Sequence, residues 1–251
     1  MNTKPIIISG HQPAYLPWLG YFHKMLMCDI FIYMDDVQFI ERGFIHRNKI
    51  KTGKGTDFYL TIPIQKKERS NKISDIILED NDFLKKHWLS IANAYKNSFY
   101  YKVYKNDLYT LFNSNTKNLS DLLFDMLLFF SKVLNISCKI LRASDLDFKL
   151  LKSDLLMEHM ELFNGDILFC GTLGKNYVNV SKFYEKKMMV EFQNYNHPVY
   201  NQRFFDFIPN MCILDLIFNV KPELLQETIL HKNINKQDLK RKYDEYIRNY
   251  N

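Results

Sequence analysis

Two short apolar runs, each ending abruptly in polar residues and separated by one amphipathic helix, constrain this chain more than any other feature. Ile6 to Ser9 is a β-branched strand that runs into His11-Gln12-Pro13, and Ile30 to Met34 is a second strand that runs into Asp35-Asp36-Val37-Gln38-Phe39. Between them Trp18, Phe22, Met25 and Leu26 recur at helical spacing within Trp18 to Cys28. A strand-helix-strand succession needs a crossover connection, which makes the two strands parallel. Strands of a parallel sheet share one carboxyl-terminal rim, and open α/β sheets hold their ligands there. The polar residues that follow both strands are therefore expected on a common rim.

The remaining pattern extends this unit. Phe58 to Ile64 is strand-like and is followed by a polar linker, Gln65 to Asn71. From Asp82 the periodicity becomes helical, with Leu84, Trp88, Ile91, Ala92, Tyr95 and Phe99 on one face and Leu119, Leu122, Leu123, Met126, Leu127 and Phe130 on the next. Cys138 to Leu141, Ile167 to Cys170 and Met188 to Phe192 are again strand-like, separated by helical Leu150 to Phe163 and Tyr177 to Tyr184. Met211 to Asn219, Pro222 to Leu230 and Lys236 to Tyr250 close the chain as helices, the second opening on a proline at the helix start. The expected fold is α/β: a Rossmann-like, mostly parallel sheet with flanking helices and a helical insertion and C-terminal part. In residue terms this gives an α/β domain over 1–220, a helical insertion at about 82–134, and a helical extension over 221–251.

Charge is concentrated in one place. Between Glu41 and Lys72 nine Lys or Arg face three acids, a local excess equal to the +6 net charge of all 251 residues. Such a field beside a ligand rim favours an anionic partner: phosphate, nucleotide or RNA. A solvated basic loop is the alternative for Lys54 to Lys72. Cys28, Cys138, Cys170 and Cys212 are widely spaced, with no Cys-x-x-Cys or Cys/His ligand spacing, so they are expected as buried thiols, and no metal site is expected. No apolar run approaches the roughly twenty residues of a membrane span, and no signal peptide is recognisable; the expectation is a cytoplasmic, reduced protein without a membrane span.

Several residues are candidates for chemistry. His11 sits on a loop stiffened by Pro13 and Pro17, where it can donate a proton, polarise a carbonyl or grip a phosphate. Asp35 and Asp36 are consecutive, so in strand geometry only one of them reaches a given face; a carboxylate there suits a general base or a Mg²⁺ ligand held with substrate phosphates. Gln38 can orient an amide. Arg42, Arg47, Asn48 and Lys49, around Gly43, offer donors for a phosphate or carboxylate. Gly171 and Gly174 flank a second strand-to-helix passage, with Lys175 and Tyr177 following, and Tyr195, His197, Tyr200 and Gln202 form a polar-aromatic loop suited to a sugar or base. Gln12, Tyr15 and Trp18 complete the first loop as candidate binding residues. Neither Gly-x-x-x-x-Gly-Lys nor Gly-x-Gly-x-x-Gly occurs, which argues against a P-loop or a dinucleotide fingerprint.

Taken in order, His11-Gln-Pro, Pro17-Trp-Leu-Gly-Tyr-Phe22, Asp35-Asp-Val-Gln-Phe39, Arg47-Asn48, Cys170-Gly171, Tyr177, His197-Pro-Val-Tyr200-x-Gln202 and Ile213-Leu-Asp-Leu-Ile-Phe-Asn219 resemble the WbqC-like family. The resemblance implies a place in bacterial surface-polysaccharide and O-antigen (lipopolysaccharide) pathways. It further implies an N-acyl or aminoacyl transferase, such as a glycine transferase, acting on the amine of a nucleotide-linked sugar. On that reading Asp35 or Asp36 deprotonates the amine, His11 stabilises developing charge, and Arg42, Arg47 and Lys49 hold phosphates. The acyl donor is open between an amino acid activated with ATP and Mg²⁺, an aminoacyl-tRNA and a thioester. An ATP-dependent amide ligase is suggested by a looser likeness, in layout alone, to the nucleotidyltransferase and pantoate-amine ligase superfamily. Two other readings are a nucleotide- or tRNA-binding protein without chemistry of its own and a scaffold within a polysaccharide assembly complex.

Overall fold

The computed structural model describes residues 4–41 and 43–250. Seven strands are present in them: β1 (Ile7–His11), β2 (Ile30–Tyr33), β3 (Arg47–Lys51), β4 (Asp57–Thr61), β5 (Lys139–Arg142), β6 (Ile167–Cys170) and β7 (Met189–Phe192). Five of them form one sheet in the order β5-β2-β1-β6-β7, while β3 and β4 pair by themselves. Every pairing in the larger sheet is parallel. The chain thus winds from β1 outward to β5, then returns to lay β6 and β7 on the other side of β1. The topological switch point, where such sheets open a crevice for ligand, lies between the carboxyl ends of β1 and β6.

Alternation along the strands separates two cores. Ile7, Phe31, Tyr33, Ile167 and Phe169 face the larger one, with α1 (Leu19–Met27), α2 (Asp82–Tyr95), α3 (Tyr101–Leu111) and α4 (Leu119–Val133). Ile8, Ile32, Leu168 and Cys170 face the smaller, which is closed by α5 (Lys152–Leu162) and α6 (Val180–Glu185). Burying an Ile or Phe contributes roughly 1.5–3 kcal/mol, so two-faced burial of four-residue strands suffices to hold the sheet. The helices α7 (Ile213–Asn219), α8 (Leu225–Leu230) and α9 (Lys236–Tyr250) complete the larger-core side.

Two elements differ from the sequence expectation. The basic stretch around Arg47, for which no regular element is expected, is a strand: Asn48 and Ile50 point inward while Arg47 and Lys49 are half-buried, and the pair closes through Gly55 at φ +75°. Phe99 does not continue the α2 face. The helix ends at Tyr95, Phe99 is 59% exposed, and α3 begins at Tyr101 with its ring against Trp88.

The amino-terminal rim of the sheet is sealed. Asp29 and Asp166, which precede β2 and β6, accept from the Ile7 and Ile6 backbone amides at 2.9 and 2.8 Å. The helix α9 covers both, through Lys236 to Asp29 at 2.6 Å and the Tyr243 hydroxyl to Asp166 at 3.2 Å. The open end is the carboxyl rim, which carries the polar loops.

Several imidazoles are neutral because they are buried. Desolvation holds His46, His87 and His159 down at about 4. The unfolded chain binds protons at ordinary histidine pH and the folded chain does not, so stability is lost as pH falls from about 7 towards 4. Urea titration should show a loss of roughly 2–3 kcal/mol for each fully buried imidazole over that window. His159, 1% exposed and 4.3 Å from the Phe148 ring, is the cleanest case: His159→Leu should flatten the profile, and an unchanged acid slope would remove this imidazole from the account.

Candidate functional site

The carboxyl end of β1 delivers His11 into an aromatic corner, 5.3 Å from the Trp18 ring and 4.8 Å from the Tyr21 ring. Its Nδ1 lies 2.8 Å from the Gln12 carbonyl oxygen, an acceptor, so the proton sits on Nδ1 and Nε2 presents a lone pair. Burial, with the nearby Lys24 charge, holds the imidazole down at about 3. His11 is therefore a neutral acceptor, suited to a ligand hydroxyl or amine, and does not supply positive charge.

That charge comes from Lys24, a residue the sequence reading passed over as part of a scaffold helix. Lys24 is 2% exposed and its Nζ donates to the Gly10 carbonyl at 2.8 Å. Burial pulls it down to about 8, opposed by the thiols of Cys170 and Cys28. The signal was present: Leu19–Met27 contains this one lysine and no acid that could neutralise it.

The two aspartates after β2 diverge. Asp35 is fully buried and saturated: it accepts from the Ser120 hydroxyl at 2.6 Å, from Ser144 N and Oγ at 2.9 Å each, and from the Arg142 guanidinium at 3.1 Å. Arg142 in turn bonds Asp121 at 2.7 Å and lies over the Phe124 ring. Asp36 has a shielded Oδ1 with no hydrogen-bond partner. Its carboxyl is raised first by desolvation and then by the charge of Asp35, with a hydrogen bond from its own backbone amide and the Lys72 charge opposing. It lines a cleft of about 570 Å³ beyond the ends of β2 and β5, together with Asp75, Asp121, Asp145, Asp147, Lys72, Arg142 and Phe148. With Arg142 committed to Asp35 and Asp121, the cleft is acidic. Among the described residues, no three His, Cys, Asp or Glu side chains come together as a metal site.

His11 and Arg47 do not line this cleft. Arg47 and Lys49 lie on the β3–β4 ribbon, 5.3 and 5.6 Å from the Tyr59 ring centre, and Lys49 is also paired with Asp57 at 2.6 Å. Asn48 is buried and holds Leu16, at φ +46°, through its carbonyl at 2.7 Å; it shapes the loop that carries Gln12 and Trp18. The Tyr15 hydroxyl is 2.7 Å from His87 Nδ1. Gln202 clasps Ile208 through both backbone groups and accepts from the buried Lys51. Tyr95 and Tyr200 donate to Asp215 at 3.1 and 2.8 Å, a buried hub joining α2 to α7. Gln38 is exposed and its backbone bridges Lys72. Tyr195 packs on His23 at 5.2 Å with its hydroxyl unpartnered. Gly171 and Cys170 reach the β1 rim beside Lys24, Lys175 lies over the Phe192 ring, and Tyr177 is exposed. Arg42 lies outside the described residues.

These positions fall within a known group. The match to the WbqC-like protein family spans residues 12–227. The chain belongs to that family. A protein of Mycobacterium tuberculosis (strain ATCC 25618 / H37Rv) described as uncharacterized is 29% identical over 215 residues, covering 84% of this chain and 93% of the relative. No solved structure matches the chain. The family match contains the two strand-end loops that this WbqC-like chain presents on its open rim, and no helix of the described residues is long and apolar enough to cross a membrane.

The contrast between the two aspartates is measurable. Asp35→Asn leaves Arg142 facing a lost charge and should cost about 2–4 kcal/mol of unfolding free energy. Asp36→Asn removes an unsatisfied buried oxygen's charge and should stay within about 0.5 kcal/mol of wild type or gain stability. Equal losses in chemical denaturation would show that Asp36 is structural too.

Proposed function

We propose that this WbqC-like protein is a transferase that joins a small acyl or aminoacyl group, such as glycine, to the amine of a nucleotide-linked sugar in bacterial surface-polysaccharide (O-antigen) biosynthesis. The observation that carries the reading is the shielded, unpartnered carboxylate oxygen of Asp36 in an acid-lined cleft on the strand rim. Such a cleft attracts an ammonium group, and a carboxylate whose proton affinity is raised by burial is a better base for it. The ammonium gives one proton to Asp36, the freed amine nitrogen forms the bond to the acyl carbon, the bond from that carbon to the activating group breaks with the electrons leaving on that group, and the second nitrogen proton passes to the leaving group or to solvent. Asp35 and Arg142 position this carboxylate by fixing the end of β2.

Support for a purely nucleic-acid-binding role is weaker, because the basic segment is not a continuous patch. Lys49 is paired with Asp57, Arg69 with Glu41, and Lys51 is buried against Gln202 and the Asp206 carbonyl.

The test is amide formation followed by mass spectrometry, with nucleotide-linked amino sugars as acceptors and three glycyl donors offered separately: glycine with ATP and Mg²⁺, glycyl-tRNA, and a glycyl thioester. One donor should give product, and Asp36→Asn should lower kcat by about 10²–10⁴. Below the raised Asp36 pKa the wild-type rate should fall as the base becomes protonated. No amide with any donor, or full turnover by Asp36→Asn, would overturn the assignment.

A further inference from the structure

The β1–β6 switch point holds a feature that the acidic cleft does not use. Lys24 is an almost wholly buried ammonium with one acceptor, the Gly10 carbonyl, and among the described residues no carboxylate pairs with it. The titratable groups whose charge state bears on it are the His11 imidazole from β1, the Cys170 thiol at the end of β6 and the Cys28 thiol from the end of its own helix. None is an anion at neutral pH, since burial pushes the Cys170 thiol up to about 12 and the Cys28 thiol well above its usual range. An unneutralised buried cation is costly and calls for a partner.

Gly171 supplies the space. A Cβ built there would meet one heavy atom within 4 Å, Lys24 Nζ at 3.8 Å. The glycine is not required by the backbone, which is ordinary at φ −66° and ψ 160°, and it is not required by packing. What a side chain would take up is the room in front of the ammonium. One residue on from the Gly10 carbonyl that holds the ammonium, His11 offers Nε2 as an acceptor at the same strand end. The site therefore asks for an oxyanion to meet Lys24 and a neighbouring hydroxyl to donate to His11.

We infer that Lys24, Gly171 and His11 form a binding site at the β1–β6 switch point for a phosphate ester that carries a free hydroxyl, the chemistry of a sugar phosphate or nucleotide. Lysine is a point-charge phosphate binder, and the rim of an open parallel sheet at its switch point is where such ligands enter. The site is separate in its residues from the Asp36 cleft and stands whether or not Asp36 is catalytic.

The test is calorimetric titration and thermal melting of the full chain with ribose 5-phosphate and inorganic phosphate, and with acetate at matched ionic strength. Ribose 5-phosphate should raise Tm by about 5 °C or more near hundredfold saturation, phosphate should raise it less, and acetate should leave it unchanged. Lys24→Met should weaken ribose 5-phosphate about 10–100-fold without lowering the ligand-free Tm, because it removes an unpaired charge. Gly171→Val keeps the ammonium, fills the space and should abolish the shift, which covers the case in which Lys24→Met fails to fold. Asp36→Asn should bind as wild type, so that failure of the transferase assignment and failure of this site are told apart. No shift in the wild type, an equal shift with acetate, or binding retained in Gly171→Val would overturn the inference.

Discussion

β1 is hydrogen-bonded on both edges, to β2 in the register Ile8 to Ile30 and to β6 in the register Ile8 to Leu168. A central strand of five residues must satisfy two neighbours and bury both faces, which leaves it no freedom until its last residues. Those residues are Gly10 and His11. The Gly10 carbonyl is taken by Lys24, and the His11 carbonyl by the Met34 amide at 2.9 Å. The carboxyl end of one strand thereby places the imidazole, the buried ammonium and the turn into Asp35. A change that shifted β1 by one residue would exchange Ile7 with Ile8 between cores and move every one of these groups to the wrong face.

The Asp35–Asp36 pair shows how one dipeptide divides structural and chemical work. Consecutive residues at a strand end project oppositely. The inward one is locked by two hydroxyls, a backbone amide and a guanidinium. This carboxylate, held so firmly, sits next to one whose Oδ1 is shielded and without a partner, and its negative charge helps keep the neighbour's proton affinity high. Arg142 comes from the far strand β5, so the position of Asp36 depends on the whole left half of the sheet being assembled.

The β1-α1-β2 unit, the later parallel strands and the polar rim were legible because Ile6–Ile8, Ile30–Met34 and Ile167–Cys170 are short continuous apolar runs that stop at polar residues or glycine, and α1 keeps helical spacing between two of them. The strand β3 was not, because Arg47, Asn48, Lys49, Ile50 and Lys51 look like a charge run. Its alternation shows only when Asn48 is seen to be buried by a hydrogen bond to Leu16 and Lys51 by its contact with Gln202. Sequence polarity misled for the same reason at Lys24. A lysine inside an amphipathic helix is ordinarily solvated, and its environment here is set by a carbonyl one strand away and by the space a glycine 147 residues away leaves open. Long-range partners decide what a polar residue does, and periodicity carries no information about them. Helix α3 was missed because Phe99 continues the spacing of α2 on paper while the chain turns at Lys96 to Tyr100.

The open rim is electrically divided. Beyond β2 and β5 it presents aspartates around Asp36; beyond β1 and β6 it presents a lone ammonium beside a neutral imidazole. Coulomb energy between such regions and solvent-borne groups favours a molecule with its amine over the first and its anion over the second. The nucleotide-linked amino sugar proposed above as substrate carries both groups, and on that proposal the order of the strands sets which end of the molecule meets which region. The opposite orientation would bring phosphate against five aspartates and an ammonium against Lys24, two repulsions at once. On that proposal, specificity would be built as much from rejection as from attraction, and it would come from the same strand order, β5-β2-β1-β6-β7, that closes the two cores.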